Sequence, residues 1–570
     1  MPPRALIDPG PPHAGARAIA QAYRMTLTAA DVMARLGREA SADTERWLDP
    51  KLAQLTPPFD MVDRGAASER IASAIRRNEP VAIFGDYDCD GVTATAIMTT
   101  LIRSLGGDAR PVLATRTEGA YGLSDRALER VRATGAKLLV TCDCGSSDHE
   151  RIETAKRAGI DTVVIDHHLV PKDPLPALAF LNPHRPDCGF PFKHLASCGL
   201  AFNLGAALRA ELKRELDLKP LLDLVAIGTV ADVAPLVGDN RALVRAGLRV
   251  ISAGVRPGLR ALANLARIDL SQGVTSEDIG YRIAPRLNAP GRLADPDDSL
   301  ALLLARDWSA AETLAASIEQ VQLQRRALQQ AMLDEAMAEL GLRSAEGARP
   351  IASLPDGIVV ARQGWHAGIV GIVAGKLAEL TQRPTIVIAL EGETGRGSVR
   401  GPAGFHLYDA LTRCTSELIQ FGGHQAAAGV HVRADRVAEF TSAWVSACAA
   451  LGAEKFADRR AEPVARLAPD DQPGRVLADL ERLEPFGEGN PAPLLFLPGV
   501  VVRSARNLKG HLKLDLAYEG RALSAVFFSH GHLAEQAASK KVDIAGALRR
   551  DAWSGGAEVH VVRTSPPFGE

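Results

Sequence analysis

Paired cysteines, long apolar runs and a dominant sign of charge are all missing from this sequence. Its seven cysteines are an odd number without a CxxC pair, which excludes a disulfide frame and predicts reduced thiols in a cytoplasmic protein. No apolar run reaches the about 18 residues that a membrane span needs, and Met1 to Gly15 holds no secretory signal core, so neither a membrane segment nor an export signal is expected. The formal net charge is only −2, so any contact with nucleic acid must rest on local basic patches. Aromatic residues make up 5%, which leaves few rings for stacking. Internal repeats and low-complexity tracts are absent too.

What remains is an ordinary globular composition, 46% apolar and 24% charged over 570 residues, with room for about three or four domains. The chain is organised around Val81 to Gly91 (VAIFGDYDCDG). Four apolar residues ending on Gly85 read as a buried strand and Val92 to Leu105 as the helix after it, so Asp86, Asp88 and Asp90 crowd the turn between them. Carboxylates so close repel one another unless a divalent cation neutralises them. A lone Asp-x-Asp is better explained as a solvated acidic turn, so the rest of the chain must decide.

From Val81 onward apolar strands alternate with helices, which implies a parallel sheet with its ligand site at the carboxyl ends of the strands. Asp143 follows the run Lys137 to Cys142, and Asp166-His167-His168 follows Thr162 to Ile165. Leu221 to Ile227 leads into Gly228-Thr229-Val230-Ala231-Asp232, which reads as a fourth acidic end of an apolar run. Four such ends, one carrying two histidines, favour metal binding over solubility. The mixed Asp/His set suits Mn²⁺ or Mg²⁺ rather than thiolate-bound zinc.

Three further stretches bear on phosphate binding. Arg286, Asn288 and Arg292 lie on Ile283 to Arg292, which reads as a Pro/Gly-rich loop whose arginines suit phosphate contacts. Gly395 to Gly401, with Ser398 and Arg400, and Phe421 to Gly429, with His424, read as glycine-rich loops that let backbone amides approach phosphate. Ser309 to Leu340 contains neither proline nor glycine and reads as one long amphipathic connector helix. After Pro491 short strands suggest a small barrel, with Arg503, Arg506, Lys509, His511 and Lys513 as its positive charge.

DYDCDG, the isolated Asp143, DHH and GTVAD, in this order, resemble the DHH phosphoesterase superfamily. The stretch Arg116 to Leu123 (RTEGAYGL), the stretch IAPRLNAPGR ending at Arg292, the GGH element around His424 and the terminal barrel narrow the resemblance to the RecJ branch of single-strand-specific exonucleases. The implied fold is α/β: an N-terminal appendage at 1–75, a parallel-sheet DHH domain at 76–300, a connector helix at 301–342, a smaller α/β DHH-associated domain at 343–465 and a C-terminal OB-fold β-barrel at 466–570. The implied activity is metal-dependent 5′-to-3′ hydrolysis of single-stranded DNA to 5′-mononucleotides in repair and recombination.

The resemblance also carries over roles. Asp88, Asp90, Asp143, His167 and Asp232 become ligands of two Mn²⁺ or Mg²⁺ ions, with Asp143 between them, and His168 touches substrate or orients a ligand. Asp86 is either a ligand or an acceptor behind one, because the position where the pyrophosphatase branch has a histidine ligand is Phe84 here. Arg116, Arg286, Asn288, Arg292, Ser398, Arg400 and His424 become substrate contacts. Single-stranded DNA is the expected partner, with a single-strand-binding protein and a helicase as further ones. The alternatives are a DHH enzyme for nanoRNA, cyclic dinucleotides or pyrophosphate, and a catalytically inactive binding component of a replication assembly.

Overall fold

The structure is a computed structural model and describes residues 6–116, 122–343, 349–453, 462–551 and 555–568. Two compact units divide the chain: Met1–Val112, Asp125–Ala284 and Ala461–Glu570 form one, and Leu113–Ser124 with Pro285–Arg460 the other. Thr117 to Tyr121, within the sequence stretch that begins at Arg116, lie outside the described residues.

The first unit is built on the strands β1 (Pro80–Gly85), β2 (Asp108–Leu113), β3 (Leu138–Cys142), β4 (Asp161–Ile165) and β5 (Ala179–Leu181), in the order β2-β1-β3-β4-β5. β1, β3, β4 and β5 pair in parallel, and their apolar runs are buried on both faces, as a helix-covered parallel sheet requires. The register aligns the last residues, Gly85 with Cys142, Cys142 with Ile165, and Ile165 with Leu181. The next residues, Asp86, Asp143, Asp166 and Asn182, therefore stand in one row at the carboxyl edge, each of the first three donating its backbone N–H to the last carbonyl of the neighbouring strand.

The helix after β1 runs Cys89–Ser104, so it starts inside the acidic motif. Asp232 does not end a strand. It caps the carboxyl end of the helix Leu222–Ala231, where Ala234 N–H bonds back to Thr229 O and closes the last turn.

A barrel completes this unit. β11 (Ala465–Arg466), β12 (Leu495–Leu508), β13 (His511–Tyr518), β14 (Arg521–Phe527), β15 (Lys541–Arg550) and β16 (Ala557–Ser565) run in the order β11-β12-β13-β14-β16-β15, and β12 also pairs with β15 to close it. The runs LLFL and VVVRSARN are one bulged strand, β12, whose register shifts between Leu497 and Val500 let it turn the corner of the barrel. The helices Ala16–Tyr23 and Leu27–Arg35 share its core: Ile19, Val32 and Met33 lie in one cluster with Leu480, Leu512 and Leu514. The segment from Ala16 to Leu48 thus contributes to the packing of a domain that begins some four hundred positions later, and Thr26 N–H donating to Asp479 Oδ2 at 2.8 Å ties the two segments.

The second unit has β6 (Ile358–Gln363), β7 (Thr385–Glu391), β8 (Thr394–Arg400), β9 (Gln420–Gly423) and β10 (Ala427–Arg433), in the order β6-β7-β8-β10-β9. β6 and β7 are parallel and the rest antiparallel. The connector expected over Ser309 to Leu340 is the helix Trp308–Glu339, started by Asp307, whose side chain accepts from Ala310 N–H.

Three loop expectations fail here, since Phe421 to Gly429 is mostly β9 and β10, with only His424 to Ala426 between them. Gly395 to Gly401 belongs almost wholly to β8, and Ile283 to Arg292 is helical, in the short helices Ala284–Leu287 and Pro290–Leu293, with Pro290 in the first helical position that proline tolerates. The parallel-sheet domain, the smaller α/β domain and the closed barrel are otherwise as the sequence implies. No described helix is long and apolar enough to cross a membrane.

Candidate metal centre

Each acidic side chain is placed by a different local device. Asp88 is the N-cap of Cys89–Ser104, and its Oδ1 accepts from Asp90 N–H at 3.0 Å and Gly91 N–H at 3.1 Å, which leaves Oδ2 available. Gly91 is required, since a Cβ there would come within 2.7 Å of the Asp86 backbone nitrogen. Asp90 lies one residue into the helix and accepts at both oxygens, from Ser197 N–H at 2.7 Å and Cys198 N–H at 2.9 Å, at the amino end of the helix Ser197–Glu211. Asp143 has φ 64°, a left-handed conformation that Asp and Asn tolerate better than other side chains, and accepts from Ser197 Oγ–H at 3.0 Å.

The decisive atom is His167 Nε2. It is buried without a hydrogen-bond partner, yet stands 3.2 Å from Asp143 Oδ1, 3.7 Å from Asp232 Oδ2 and 3.8 Å from Asp90 Oδ2. A buried ring nitrogen surrounded by three carboxylates and satisfied by none of them fits a cation held between them. Three overlapping sets have ligand atoms within 4.8 Å of one another: Asp86, Asp88 and Asp143; Asp90, His167 and Asp232; and Asp143, His167 and His168. Asp143 is common to two of them.

The electrostatics agree with this fit. Burial, then Asp90, Asp88, Asp166 and Asp232, push the Asp143 carboxyl well above the usual carboxylate range, and burial followed by Asp90 and Asp88 pushes Asp232 up to about 8. Ionising Asp143 and Asp232 is thus opposed by the protein alone, and divalent charge would relieve that opposition. Asp166 behaves oppositely. Burial would raise it, but the hydrogen bond and charge of His168 and the Ser146 N–H bond hold it down at about 2. Its Oδ1 accepts from His168 Nδ1 at 2.7 Å and from the backbone N–H groups of His167 and His168, and its Oδ2 from Ser146 N–H at 3.0 Å. Burial would lower His168, but the Asp166 hydrogen bond and the charges of Asp166, Asp232 and Asp88 together raise it to about 9. Asp166 therefore sets the shape of the DHH turn. Sequence reasoning gave it no role of its own, and the only signal was its place as the first letter of that motif.

The expected substrate contacts lie in the second unit. Arg116 Nε–H donates to Gly291 O at 2.8 Å, and Arg292 Nη1–H to Gly368 O at 3.2 Å. Arg400 and Ser398 share one side of β8, with Arg400 Nη1–H donating to Ser398 Oγ at 3.0 Å, and burial pulls the guanidinium below its ordinary range. Gly371 lets the helix Val370–Thr381 approach them, because a Cβ there would stand 3.1 Å from Ser398 Oγ. Arg286 instead forms a two-pronged ion pair with Glu319, at 2.6 and 3.0 Å. Asn288 lies in the turn between the two short helices, and His424 is exposed in the turn from β9 to β10. No described contact ties His424 to the others.

Comparison with known proteins matches this architecture part by part. The family model described as DHH family, N-terminal domain, matches residues 80–229, the DHHA1 domain residues 356–450 and the RecJ OB domain residues 465–562. The single-stranded-DNA-specific exonuclease RecJ of Bacillus subtilis is 33% identical over 550 residues, covering 94% of this chain and 67% of that protein. RecJ of Escherichia coli K12 is 37% identical over 75% of this chain and 76% of its own length. The chain belongs to the RecJ family. The solved structure of Thermus thermophilus RecJ in complex with Mn²⁺ superposes with a TM-score of 0.81 at 30% identity, over 98% of this chain and 78% of that one.

Within this RecJ-family site, Asp166→Asn is expected to slow hydrolysis roughly tenfold without unfolding the protein, because losing a group that orients a ligand typically costs that much. Undiminished activity with unchanged Mn²⁺ affinity would show that the DHH turn holds its shape without the Asp166 charge.

Proposed function

We propose that this chain is a two-metal exonuclease that hydrolyses single-stranded DNA from the 5′ end to 5′-mononucleotides, in repair and recombination. The observation that carries the reading is His167 Nε2, unsatisfied among Asp90, Asp143 and Asp232 in a RecJ-family fold. Mn²⁺ or Mg²⁺ bound there supplies Lewis acidity at the phosphate and lowers the pKa of water.

The chain's own residues do the rest. Asp86, Asp88 and Asp143 offer one oxygen-rich set and Asp90, His167 and Asp232 a second, with Asp143 within reach of both. Asp86 is read as a ligand, since its carboxylate lies within ligand distance of Asp88 and Asp143. His168, held by Asp166, is a charged donor beside the centre and neutralises negative charge that develops on the phosphate. No nucleophilic side chain is needed, because the attacking group is water. Arg116, Asn288, Arg292, Ser398, Arg400 and His424 are assigned to the strand. Arg286, occupied by Glu319, is assigned to holding its helix in place. The barrel is a second strand-binding element, and a single-strand-binding protein, a helicase and a cytoplasmic location accord with this role.

Digestion of end-labelled single and double strands with Mn²⁺, Mg²⁺ or EDTA tests the reading. Single strands should be consumed with either ion and spared in EDTA, duplexes should persist, and a 5′ label should appear at once as mononucleotide while a 3′ label appears late. The reverse order of label release would overturn the direction, and intact single strands with both ions would overturn the activity.

A further inference from the structure

Asp232 enters the metal centre from a turn that its own sequence strains. The helix Leu222–Ala231 ends in two bonds, Val233 N–H to Val230 O at 3.2 Å and Ala234 N–H to Thr229 O at 3.1 Å, a pattern that puts the residue after Asp232 in the left-handed conformation. Glycine usually stands there. Here it is Val233, at φ 59°, with its side chain 64% exposed. A β-branched residue is strained on that backbone, and Val233 recovers nothing by burial, so the conformation persists only where the surroundings impose it.

The constraint lies downstream, in residues 483–490, the connector that leads into the barrel. Leu236 N–H donates to Glu488 O at 2.7 Å. Two glycines let the connector close on this stretch: a Cβ at Gly487 would stand 2.7 Å from Leu236 Cδ1, and one at Gly489 would stand 3.1 Å from Val237 Cγ1 and 3.4 Å from Pro235 Cβ. Arg241, 1% exposed, donates from Nη2 to Leu483 O at 2.9 Å and Glu484 O at 3.0 Å, and from Nε to Trp47 O at 2.8 Å. A buried guanidinium is costly unless such bonds are made, so it grips the connector firmly. Asn490 keeps the connector in shape, donating from Nδ2 to Leu483 O at 3.0 Å and Pro485 O at 2.8 Å. Pro235 O accepts in turn from Asn240 Nδ2–H at 3.1 Å. Val233 thus lies in a short span between two fixed ends, the helix before it and the clamped residues 235–241 after it.

Asp232 is the residue this span carries into the site: its Oδ2 stands 3.7 Å from His167 Nε2, and it shares one ligand set with Asp90 and His167. Resting on the two-metal reading above, we propose that residues 483–490 are a positioning element of the metal centre: clamped on residues 235–241, they hold Val233 in its left-handed conformation and so keep the Asp232 carboxylate beside Asp90 and His167. The segment that attaches the barrel thereby also completes a ligand set to which it contributes no ligand.

Gly487→Ala drives a methyl group against Leu236 and should weaken Mn²⁺ binding about tenfold in calorimetric titration at a temperature where the protein stays folded. The loss should fall on one of the two ions, because Asp232 belongs to one of the ligand sets, and kcat should fall while KM for a single strand moves little. Val233→Gly added to that variant should restore most of the affinity, since glycine takes the left-handed turn unaided and adds no contact to the connector. Ser276→Ala removes a different bond to the connector, Ser276 Oγ–H to Phe486 O at 2.5 Å, and should lower the melting temperature while leaving Mn²⁺ affinity with the parent. Parental Mn²⁺ affinity in Gly487→Ala, or a loss that Val233→Gly leaves uncorrected, overturns the assignment. A parent protein that binds no Mn²⁺ overturns the two-metal reading itself, whereas a parent that binds it, with Gly487→Ala melting earlier yet binding equally well, overturns only this one.

Discussion

Replacing Asp143 by asparagine is expected to abolish hydrolysis while leaving the metal-free protein at least as stable as its parent. Asparagine suits the left-handed backbone at φ 64° and can still accept from Ser197 Oγ–H, so the turn keeps its shape. What disappears is one buried negative charge among Asp90, Asp88, Asp166 and Asp232. In the metal-free parent that charge is a liability. Its carboxyl holds a proton to higher pH when folded than when unfolded, so its contribution to stability is full below the ordinary carboxylate range and is lost as pH rises. The variant should lack this part of the pH slope when melted in EDTA.

With metal the ranking reverses. Mn²⁺ should raise the melting temperature of the parent and not of the variant, because only the parent binds it well in the folded state. Hydrolysis should fall by about a thousandfold or more, the scale of losing charge stabilisation at the reacting centre. Near-normal turnover, or a large drop in the metal-free melting temperature, would refute the placement of Asp143 between two ions.

The metal centre was legible because its residues follow apolar strands: Asp86, Asp143 and the DHH turn each come one position after a strand end, and a parallel sheet gathers such ends at one edge. The part that escaped depends on register and distant pairing. Nothing in the sequence says that Cys142 pairs with Ile165 and Ile165 with Leu181, so the row from Asp86 to Asn182 and the part played by Asp166 stayed hidden. The amides of Ser197 and Cys198 reach Asp90 from more than a hundred positions away.

Glycine misled for a physical reason. In β8, a Cβ at Gly397 would stand 2.8 Å from both Ile388 Cγ1 and Val430 Cγ2, and one at Gly395 would stand 2.7 Å from Ile388 Cγ2. These glycines make room for neighbouring strands, a use that reads in sequence like a loop. The core partners of the N-terminal helices lie at the other end of the chain, so local pattern could not place them.

Gly228→Ala should be the most damaging single-methyl change, although the residue binds nothing. Gly228 lies in Leu222–Ala231, the helix that delivers Asp232, on the face packed against Cys89–Ser104. An added Cβ would stand 2.6 Å from Cys198 Sγ and 2.8 Å from Asp90 Oδ1, and closer still to Thr93 Oγ1. None of these can yield freely: Thr93 and Cys198 are fully buried, and Asp90 is already fixed by two backbone amides. The helices must separate, and Asp90 and Asp232, on opposite sides of the contact, must separate with them. Overpacking of this kind costs about 1–3 kcal/mol of stability, and a displacement near 1 Å at a reacting centre costs about a hundredfold in rate.

Gly247→Ala is the matched control. Its Cβ would overlap the Leu222 carbonyl oxygen and stand 2.5 Å from Ala226 Cβ, straining the same helix on the side away from the carboxylates. Both variants should melt earlier than the parent, but only Gly228→Ala should lose Mn²⁺ affinity in calorimetric titration at a temperature where both remain folded. Equal Mn²⁺ affinity in the two would mean that the spacing of these helices does not set the distance between Asp90 and Asp232.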